Sequence, residues 1–431
     1  MEKLENVSFV KEFESRFMKP VEFSFVEDGK ERKFDLALAH SSVITLLYHK
    51  TFRKFLVVRQ FRPAVFVGRI CKYPENLGKK LEDIQWENYS TEIGYTLELC
   101  GGLVDKDLPL VDIAREEVEE ECGYKVPTSN FQLLGTYSID ADESGSIQSL
   151  YYAEIDETMK ISGGGGNEEE GEVITNVFLT EEEAHQYVKN QDSHGPPGVF
   201  FSFLWWFQNE KIYQKKEPSF IWKPEVQQRI GNFKFTKNQK SNRYHPIRMC
   251  FTLNQKKRFW DLAPCEDSVA ALVFNTDTNS FLYTQRFRPA VVIGRTLLKR
   301  ENENKELAEI DWTSHDPKLA YTLEMCSTHV LTHENNEAKV MEAIEKKLGF
   351  RSNKVQYVTS FAMGISQSGD RQRIYFVEVS NADKIENFTN FEDILPVSIG
   401  KDELFSLLYQ PDAISPPAVL YMIEWFLNRK K

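Results

Sequence analysis

FRPAVFVGR, Phe61–Arg69, recurs as FRPAVVIGR, Phe287–Arg295, an offset of 226 residues. The same offset carries YTLELC (Tyr95–Cys100) onto YTLEMC (Tyr321–Cys326), Trp86 onto Trp312 and Gly123 onto Gly349. Upstream it carries Asp35-Leu36-Ala37 onto Asp261-Leu262-Ala263, so that Pro20–Gly123 matches Pro246–Gly349 without a gap. Beyond that the register slips: SGSIQSLYYAEI (Ser144–Ile155) answers SGDRQRIYFVEV (Ser368–Val379), and PPGVFFSFLWWF (Pro196–Phe207) answers PPAVLYMIEWF (Pro416–Phe426). The chain reads as a tandem duplication, and each repeat as one structural unit.

With 431 residues the chain exceeds one ordinary domain, and 41% hydrophobic and 13% aromatic residues are ample for two packed cores. The boundaries read as repeat 1 over residues 1–211, a polar, lysine-bearing linker over 212–242, and repeat 2 over 243–431. A formal net charge of −12 disfavours a phosphate backbone as main partner, so no nucleic acid is expected. The six cysteines form no CxxC pair and no zinc spacing, which suits reduced thiols in the cytoplasm. MEKLENVSFV lacks the pattern of a secretory signal, and the longest apolar run, Gly198–Phe207, is too short to span a bilayer. A soluble cytoplasmic protein with no membrane partner is expected.

Both halves share one secondary-structure pattern. Val43–Tyr48 and Phe55–Val58 read as strands, as do Val269–Phe274 and Phe281–Thr284. Leu110, Ala114, Val118 and Cys122 fall four apart, an amphipathic helix over Leu110–Cys122, and Val340, Ile344 and Leu348 repeat that spacing. The aromatic stretches near the two repeat ends read as core or inter-repeat packing. Strands and helices mix without βαβ alternation, so the class is α+β.

The chemistry concentrates in GLVDKDLPLVDIAREEVEEECGY, Gly102–Tyr124. Glu117, Glu120 and Glu121 share a helix face, where like charges cost a few tenths of a kcal/mol per pair, roughly, unless a cation offsets them. Alone, such a run is more often a solvated face; a hard dication such as Mg²⁺ takes carboxylate oxygens and makes it a site. The surroundings favour the site. Gly102, Glu117, Val118, Glu120, Glu121 and Gly123 fall on a pattern that resembles the Nudix box, G-x5-E-x7-R-E-U-x-E-E-x-G-U. QFRPAV (Gln60–Val65), ELCGG (Glu98–Gly102), EECGY and a later acidic EEGE look like the nucleoside diphosphate sugar and ADP-ribose pyrophosphatases of that family, and most like its UDP-sugar diphosphatase branch.

The resemblance implies two tandem Nudix-type α/β/α sandwich domains with mixed sheets, packed as an internal pseudo-dimer within a single, monomeric chain. It implies Mg²⁺, or Mn²⁺ in its place, held by Glu117, Glu120, Glu121 and the carbonyl of Gly101. Arg62 and Glu98 fall on substrate-contacting positions, and the loop Gly163–Ile174 offers Glu170 and Glu172 as base or further ligand. Glu120, Glu170 and Glu172 are thus the expected catalytic carboxylates. Two positions depart from the box: Glu116 stands where the arginine belongs, with Arg115 one place early, and Leu108 replaces the first glutamate.

In repeat 2 the offset turns Glu117, Glu120 and Glu121 into Ala343, Lys346 and Lys347, and Gly101-Gly102 into Ser327-Thr328. Two ammonium groups at ~4–6 Å would repel a dication by several kcal/mol, so repeat 2 is expected to hold no catalytic metal. Arg288 and Glu324 persist there, and Arg371 fills the arginine of the family's S/T-G-S-R-Q segment, where repeat 1 has Ile147. Arg288 and Arg371 are therefore expected to reach substrate across the pseudo-dimer, an ion pair within the fold being the other reading of Arg371. The implied reaction is Mg²⁺-dependent hydrolysis of a UDP-glucose-like nucleotide sugar to a nucleoside monophosphate and a sugar 1-phosphate. A weak or inactive pair serving as nucleotide-sugar sensor or scaffold, and hydrolysis of ADP-ribose, are the alternatives.

Overall fold

The structure, a computed structural model, describes residues 2–166, 174–191, 195–212, 223, 230–237, 246–299, 302, 305, 307–312, 317–389, 394–407 and 415–429. The chain opens with strand β1 (Glu5–Val10) and the hairpin of β2 (Met18–Glu27) and β3 (Lys30–Ala39). Strands β4 (Ser42–His49) and β5 (Lys54–Phe61) lead into helix α1 (Pro63–Ile70). Next come β6 (Tyr95–Glu98), β7 (Cys100–Leu103) and helix α2 (Leu110–Glu117). Strands β8 (Gln132–Ser138), β9 (Ile147–Ile155) and β10 (Ile174–Thr180) and helices α3 (Glu181–Lys189) and α4 (Pro197–Ile212) complete repeat 1.

Repeat 2 runs through the same order. Strand β11 (Ile230–Lys237) precedes the hairpin of β12 (Ile247–Leu253) and β13 (Lys256–Leu262). Then follow β14 (Asp267–Asn275), β15 (Ser280–Phe287), α5 (Pro289–Leu297), β16 (Tyr321–Glu324), β17 (Cys326–Val330) and α6 (Asn336–Leu348). Strands β18 (Val355–Ala362), β19 (Arg371–Val379) and β20 (Ile394–Gly400) and helices α7 (Lys401–Leu407) and α8 (Pro417–Asn428) finish it.

Each repeat builds one seven-stranded mixed sheet, and the two have the same pairing. The path β10-β5-β4-β9-β8, with β6 on β5 and β7 on β4, matches β20-β15-β14-β19-β18, with β16 on β15 and β17 on β14. The parallel pair is β4 with β9 in one and β14 with β19 in the other. Helices on the sheets complete two α+β units packed as an internal pseudo-dimer. The central strand β4, SVITLLYH, is buried on both faces along most of its length, as its nearly unbroken apolar run requires.

The N-terminal hairpins change sides. Each turns through two residues of positive φ, Asp28-Gly29 and Asn254-Gln255, the geometry of a tight two-residue hairpin loop. Hairpin β12–β13 belongs to repeat 2 but packs Phe251, Leu253 and Leu262 against Phe66, Val67 and Trp86 of repeat 1. Hairpin β2–β3 returns the exchange, placing Phe23, Phe25 and Leu36 against Val292, Ile293 and Trp312. Strand β1 pairs with β12, and β11 pairs with β2. The segment 212–242, read from sequence as a solvated linker, therefore contains a strand that mirrors β1 down to Asn6 and Asn232, both at positive φ.

A further core lies where α4 meets α8, with Phe200, Phe361 and Tyr421 in mutual ring contact at centroid distances of 5.0, 5.1 and 5.9 Å. The aromatic stretches are thus packing material shared by both repeats, at roughly 1.5–3 kcal/mol for each fully buried ring. The glycines of the FRPAV motif serve the same junction. A Cβ on Gly68 would lie 2.3 Å from the carbonyl oxygen of Gly369, and one on Gly294 would lie 1.8 Å from that of Gly145. Helices α1 and α5 each lean on a loop of the other repeat, and only glycine permits that distance.

Candidate active site

Pro63 starts α1 and so forces Arg62 before it into an extended backbone (φ −114°, ψ 103°). The Arg62 side chain thereby leaves the helix start and enters a cavity of about 1380 Å³ that both repeats line. There it forms a two-pronged pair with Glu98 on β6, at 2.7 Å from Nε and 2.7 Å from Nη2. Thr96 Oγ1 donates to the same carboxylate at 2.5 Å, which fixes its plane. Trp260, on the exchanged hairpin, lies with its ring 6.0 Å from the Arg62 guanidinium, and its indole N–H donates to the carbonyl of Ser366 at 2.5 Å. An arginine, a carboxylate and an aromatic face thus meet from three elements and two repeats.

The acidic face forms another wall. The expected single α-helix over Leu110–Cys122 is corrected in one respect: α2 ends at Glu117, and Val118–Cys122 form a π-turn. Gly123 closes it in the left-handed conformation (φ 77°), its N–H reaching the carbonyls of both Val118 and Glu119. Such wide turns redirect side chains and recur at functional sites. Glu121, 3% exposed, accepts a hydrogen bond from the N–H of Gly101 at 2.9 Å. Glu117 lies so close over Gly102 that a Cβ there would approach its carboxylate to 2.3 Å. The Gly101-Gly102 pair is thus what lets two carboxylates close on the strand β7.

Glu117, Glu120 and Glu121 all line the cavity, as do Gly101, Arg62 and Glu98. Burial pushes the Cys100 thiol well above its usual range, helped by Cys122 and the Glu121 carboxylate beside it. Lys106 bridges to Glu116 at 3.2 Å, and that hydrogen bond, with further attraction from Glu116 and Glu117, raises the Lys106 pKa against the opposing effect of burial. Glu116, standing where the box places arginine, therefore still ties loop to helix, with the charges reversed. Arg115 faces Glu116 at 3.4 Å and Glu119 at 3.7 Å instead. Among the described residues no three acid, imidazole or thiol groups converge closely enough to hold an ion by themselves. The donor set, carboxylates beside a strand carbonyl in a cavity with room for a phosphate, nevertheless fits a hard dication.

Glu170 and Glu172 lie outside the described residues. Arg288 mirrors Arg62, donating to Glu324 at 2.7 and 2.6 Å, and also pairs with Asp142 of repeat 1. Burial alone would raise the Glu324 pKa, but Arg288, with Arg286 nearby, holds it well below the usual carboxylate range. Arg371 does not line the cavity: its Nε donates to Ser360 Oγ at 2.7 Å, alongside Arg69. The residue sits at the first position of β19, and its side chain bonds to β18 there. Sequence reasoning missed Trp260, Lys106 and Asp142. The offset that pairs Phe34 with Trp260 was a usable signal for the first; nothing short of the hairpin exchange places it beside Arg62.

Searches against family descriptions find no match for the chain. Individual relatives are clear. The uridine diphosphate glucose pyrophosphatase NUDT14 of Bos taurus is 32% identical over 212 residues, covering 48% of this chain and 96% of that protein. The Mus musculus protein of the same name is 30% identical over the same shares. A GDP-mannose pyrophosphatase of Cronobacter sakazakii is 30% identical over 125 residues, 29% of this chain and 53% of that one. A solved ADP compounds hydrolase covers 45% of this chain at 12% identity and a TM-score of 0.34.

Proposed function

Because the chain belongs to the Nudix family of pyrophosphatases, we propose that repeat 1 hydrolyses a UDP-glucose-like nucleoside diphosphate sugar to a nucleoside monophosphate and a sugar 1-phosphate. The observation that carries this is the closure of Glu117 and Glu121 on Gly102 and Gly101 at the wall of a cavity that also holds the Arg62–Glu98 pair. Glu117, Glu121, Glu120 and the Gly101 carbonyl would hold Mg²⁺ or Mn²⁺. The chemistry a bound dication supplies there is neutralisation of the pyrophosphate and polarisation of a water molecule.

The chain's own residues do the rest. Arg62 presents its guanidinium to a phosphate, held in plane by Glu98, which in turn is held by Thr96. Trp260 offers an aromatic surface at the same wall, so repeat 2 contributes to the repeat 1 site through its hairpin. Water oxygen bonds to one phosphorus, the bridging P–O bond breaks, and the water proton passes to a carboxylate, Glu170 or Glu172 in this reading.

The test is phosphate release, coupled through a phosphatase, from UDP-glucose, GDP-mannose and ADP-ribose under Mg²⁺ or Mn²⁺ titration. Metal-dependent turnover that drops about 10²-fold or more in Glu121→Gln supports the assignment, since a lost ligand removes several kcal/mol of charge stabilisation. Turnover that is metal-independent, or unchanged in that variant, overturns it.

A further inference from the structure

Repeat 2 has kept the arginine clamp. Arg288 holds Glu324 through Nε and Nη2, as Arg62 holds Glu98. Thr322 Oγ1 donates to Glu324 at 2.5 Å, where Thr96 donates to Glu98. What differs is the group that meets the third guanidinium nitrogen. At Arg288 it is Asp142, whose carboxylate accepts from Nη1 and reaches across from a loop of repeat 1. The matching loop of repeat 2, which leans on α1, has Ser366 at that place. Ser366 carries no charge, and its carbonyl accepts from the Trp260 indole.

The metal wall shows the same replacement with the other sign. Lys347 is buried at the position of Glu121, and its Nζ donates to the Ser327 carbonyl at 2.9 Å. The equivalent carbonyl, that of Gly101, is the one assigned above to the dication. An ammonium thus stands where repeat 1 would hold a metal, and a carboxylate where it would hold a phosphate. The charges of this half are answered within the fold. Arg286 and Arg288 both attract Glu324, and Asp140 and Glu143 line the same cavity beside Asp142. An incoming diphosphate meets no cationic surplus there, and the loop carboxylates repel it.

We propose that Asp142 is a built-in counter-anion: it takes, on Arg288, the place that a substrate phosphate takes on Arg62. Repeat 2 is thereby closed to nucleotide, and the chain binds one nucleotide sugar, in repeat 1. The proposal rests on the reading of Arg62 as the phosphate-binding arginine, and it fails separately from the proposed hydrolysis.

Two measurements on the full chain test it. Titration calorimetry with uridine 5′-diphosphate and Mg²⁺ should give one site per wild-type chain. Asp142→Ser, which installs the residue of the matching loop, should melt at least about 3 °C below wild type, because Arg288 loses a half-buried partner. Inorganic phosphate at constant ionic strength should return at least half of that loss, beyond any shift it gives in wild type. Asp142→Asn keeps the shape and removes the charge, and should respond likewise, so the outcome does not depend on one variant folding. Two nucleotides per wild-type chain overturn the closure. A loss of stability that phosphate reverses in neither variant leaves Asp142 an ordinary ion pair and overturns the proposal too. Turnover of the same wild-type sample separates the two readings. A chain that neither binds nor hydrolyses nucleotide sinks the proposed hydrolysis, and the phosphate response of the Asp142 variants then decides this proposal by itself.

Discussion

At Lys106 a single charge tunes the acidic face. Its ammonium bridges Glu116 and is attracted by Glu117, the nearest expected metal ligand. In a water-exposed site a unit charge about 8 Å from a dication contributes on the order of 1 kcal/mol, and salt screening at least halves it, so removing the Lys106 charge returns on the order of 0.5 kcal/mol to metal binding. Lys106→Gln should therefore lower the half-activating Mg²⁺ concentration about twofold. Stability should change by less than about 1 kcal/mol, as expected for an exposed pair. A metal titration of activity beside a thermal melt reads both, and weaker metal activation would contradict the placement. Much at this scale was legible: Arg62, Glu98, Glu117 and Glu121 are fixed by local motif, and each lines the cavity. Trp260, Asp142 and the side chain of Arg371 were not, because their surroundings come from the other repeat and no local spacing encodes them.

The π-turn is where repeat 1 departs from repeat 2 at the scale of the element. Helix α6 is regular from Asn336 to Leu348 and is capped by the side chain of Asn335, whereas α2 starts after Pro109 with no side-chain cap and ends in the wide turn. The four-residue apolar spacing is present in both sequences, so periodicity announced the helices but could not distinguish their ends. Both close on a left-handed glycine, Gly123 and Gly349. A Cβ on Gly123 would meet backbone, the Ser162 carbonyl oxygen at 2.4 Å, whereas one on Gly349 would meet the ring of Phe388, which can turn aside. Gly123→Ala should cost more than the roughly 1–2 kcal/mol of the left-handed conformation alone. It should also lose activity, because Glu120 and Glu121 hang from that turn. Gly349→Ala should cost about the conformational term and retain turnover. Equal activity loss in the two variants would contradict this division.

For the whole molecule, repetition fixes the architecture, and the exchange of hairpins makes it one body. The repeat is legible in the offset of 226, and the pseudo-dimer is what the family resemblance implies. The exchange itself, and the strand within residues 212–242, do not, since an edge strand of mixed lysine and phenylalanine reads as spacer until its partner β2 is in view. One consequence is that the site proposed for repeat 1 takes part of its wall, Trp260, from repeat 2. Weakening the junction should therefore cost activity before it unfolds either sheet. Gly68→Val, which drives a branched side chain into the Gly369 backbone, is expected to lower kcat/KM at least about tenfold while leaving far-UV circular dichroism intact. Unaltered kinetics would show that the close contact of α1 with the Gly369 loop of repeat 2 is dispensable for activity.

The same junction carries a pH dependence. Asp140 and Asp370 come from the equivalent loops of the two repeats and lie half-buried where these meet, both lining the cavity. Burial raises both carboxyl pKa values above the usual 3.8. The Ser144 hydroxyl and the N–H groups of Glu143 and Ser144 oppose it at Asp140, and Ser368 and Lys72 oppose it at Asp370. Asp267 pushes Asp370 up further, and Asp370 does the same to Asp140. A carboxyl whose folded pKa is raised binds its proton more tightly folded than unfolded. Its contribution to stability is therefore complete below about pH 3.9 and is lost as pH climbs through the folded value. Asp370→Asn keeps an oxygen to accept from Ser368, which donates at 2.6 Å, and removes the charge that must otherwise form in the junction. Melting temperatures of the variant and wild type should nearly coincide at acid pH and separate toward neutrality, with the variant higher. A gap that narrows as pH rises would mean that Lys72, paired with Asp267 at the same junction, compensates the Asp370 charge more fully than burial penalises it.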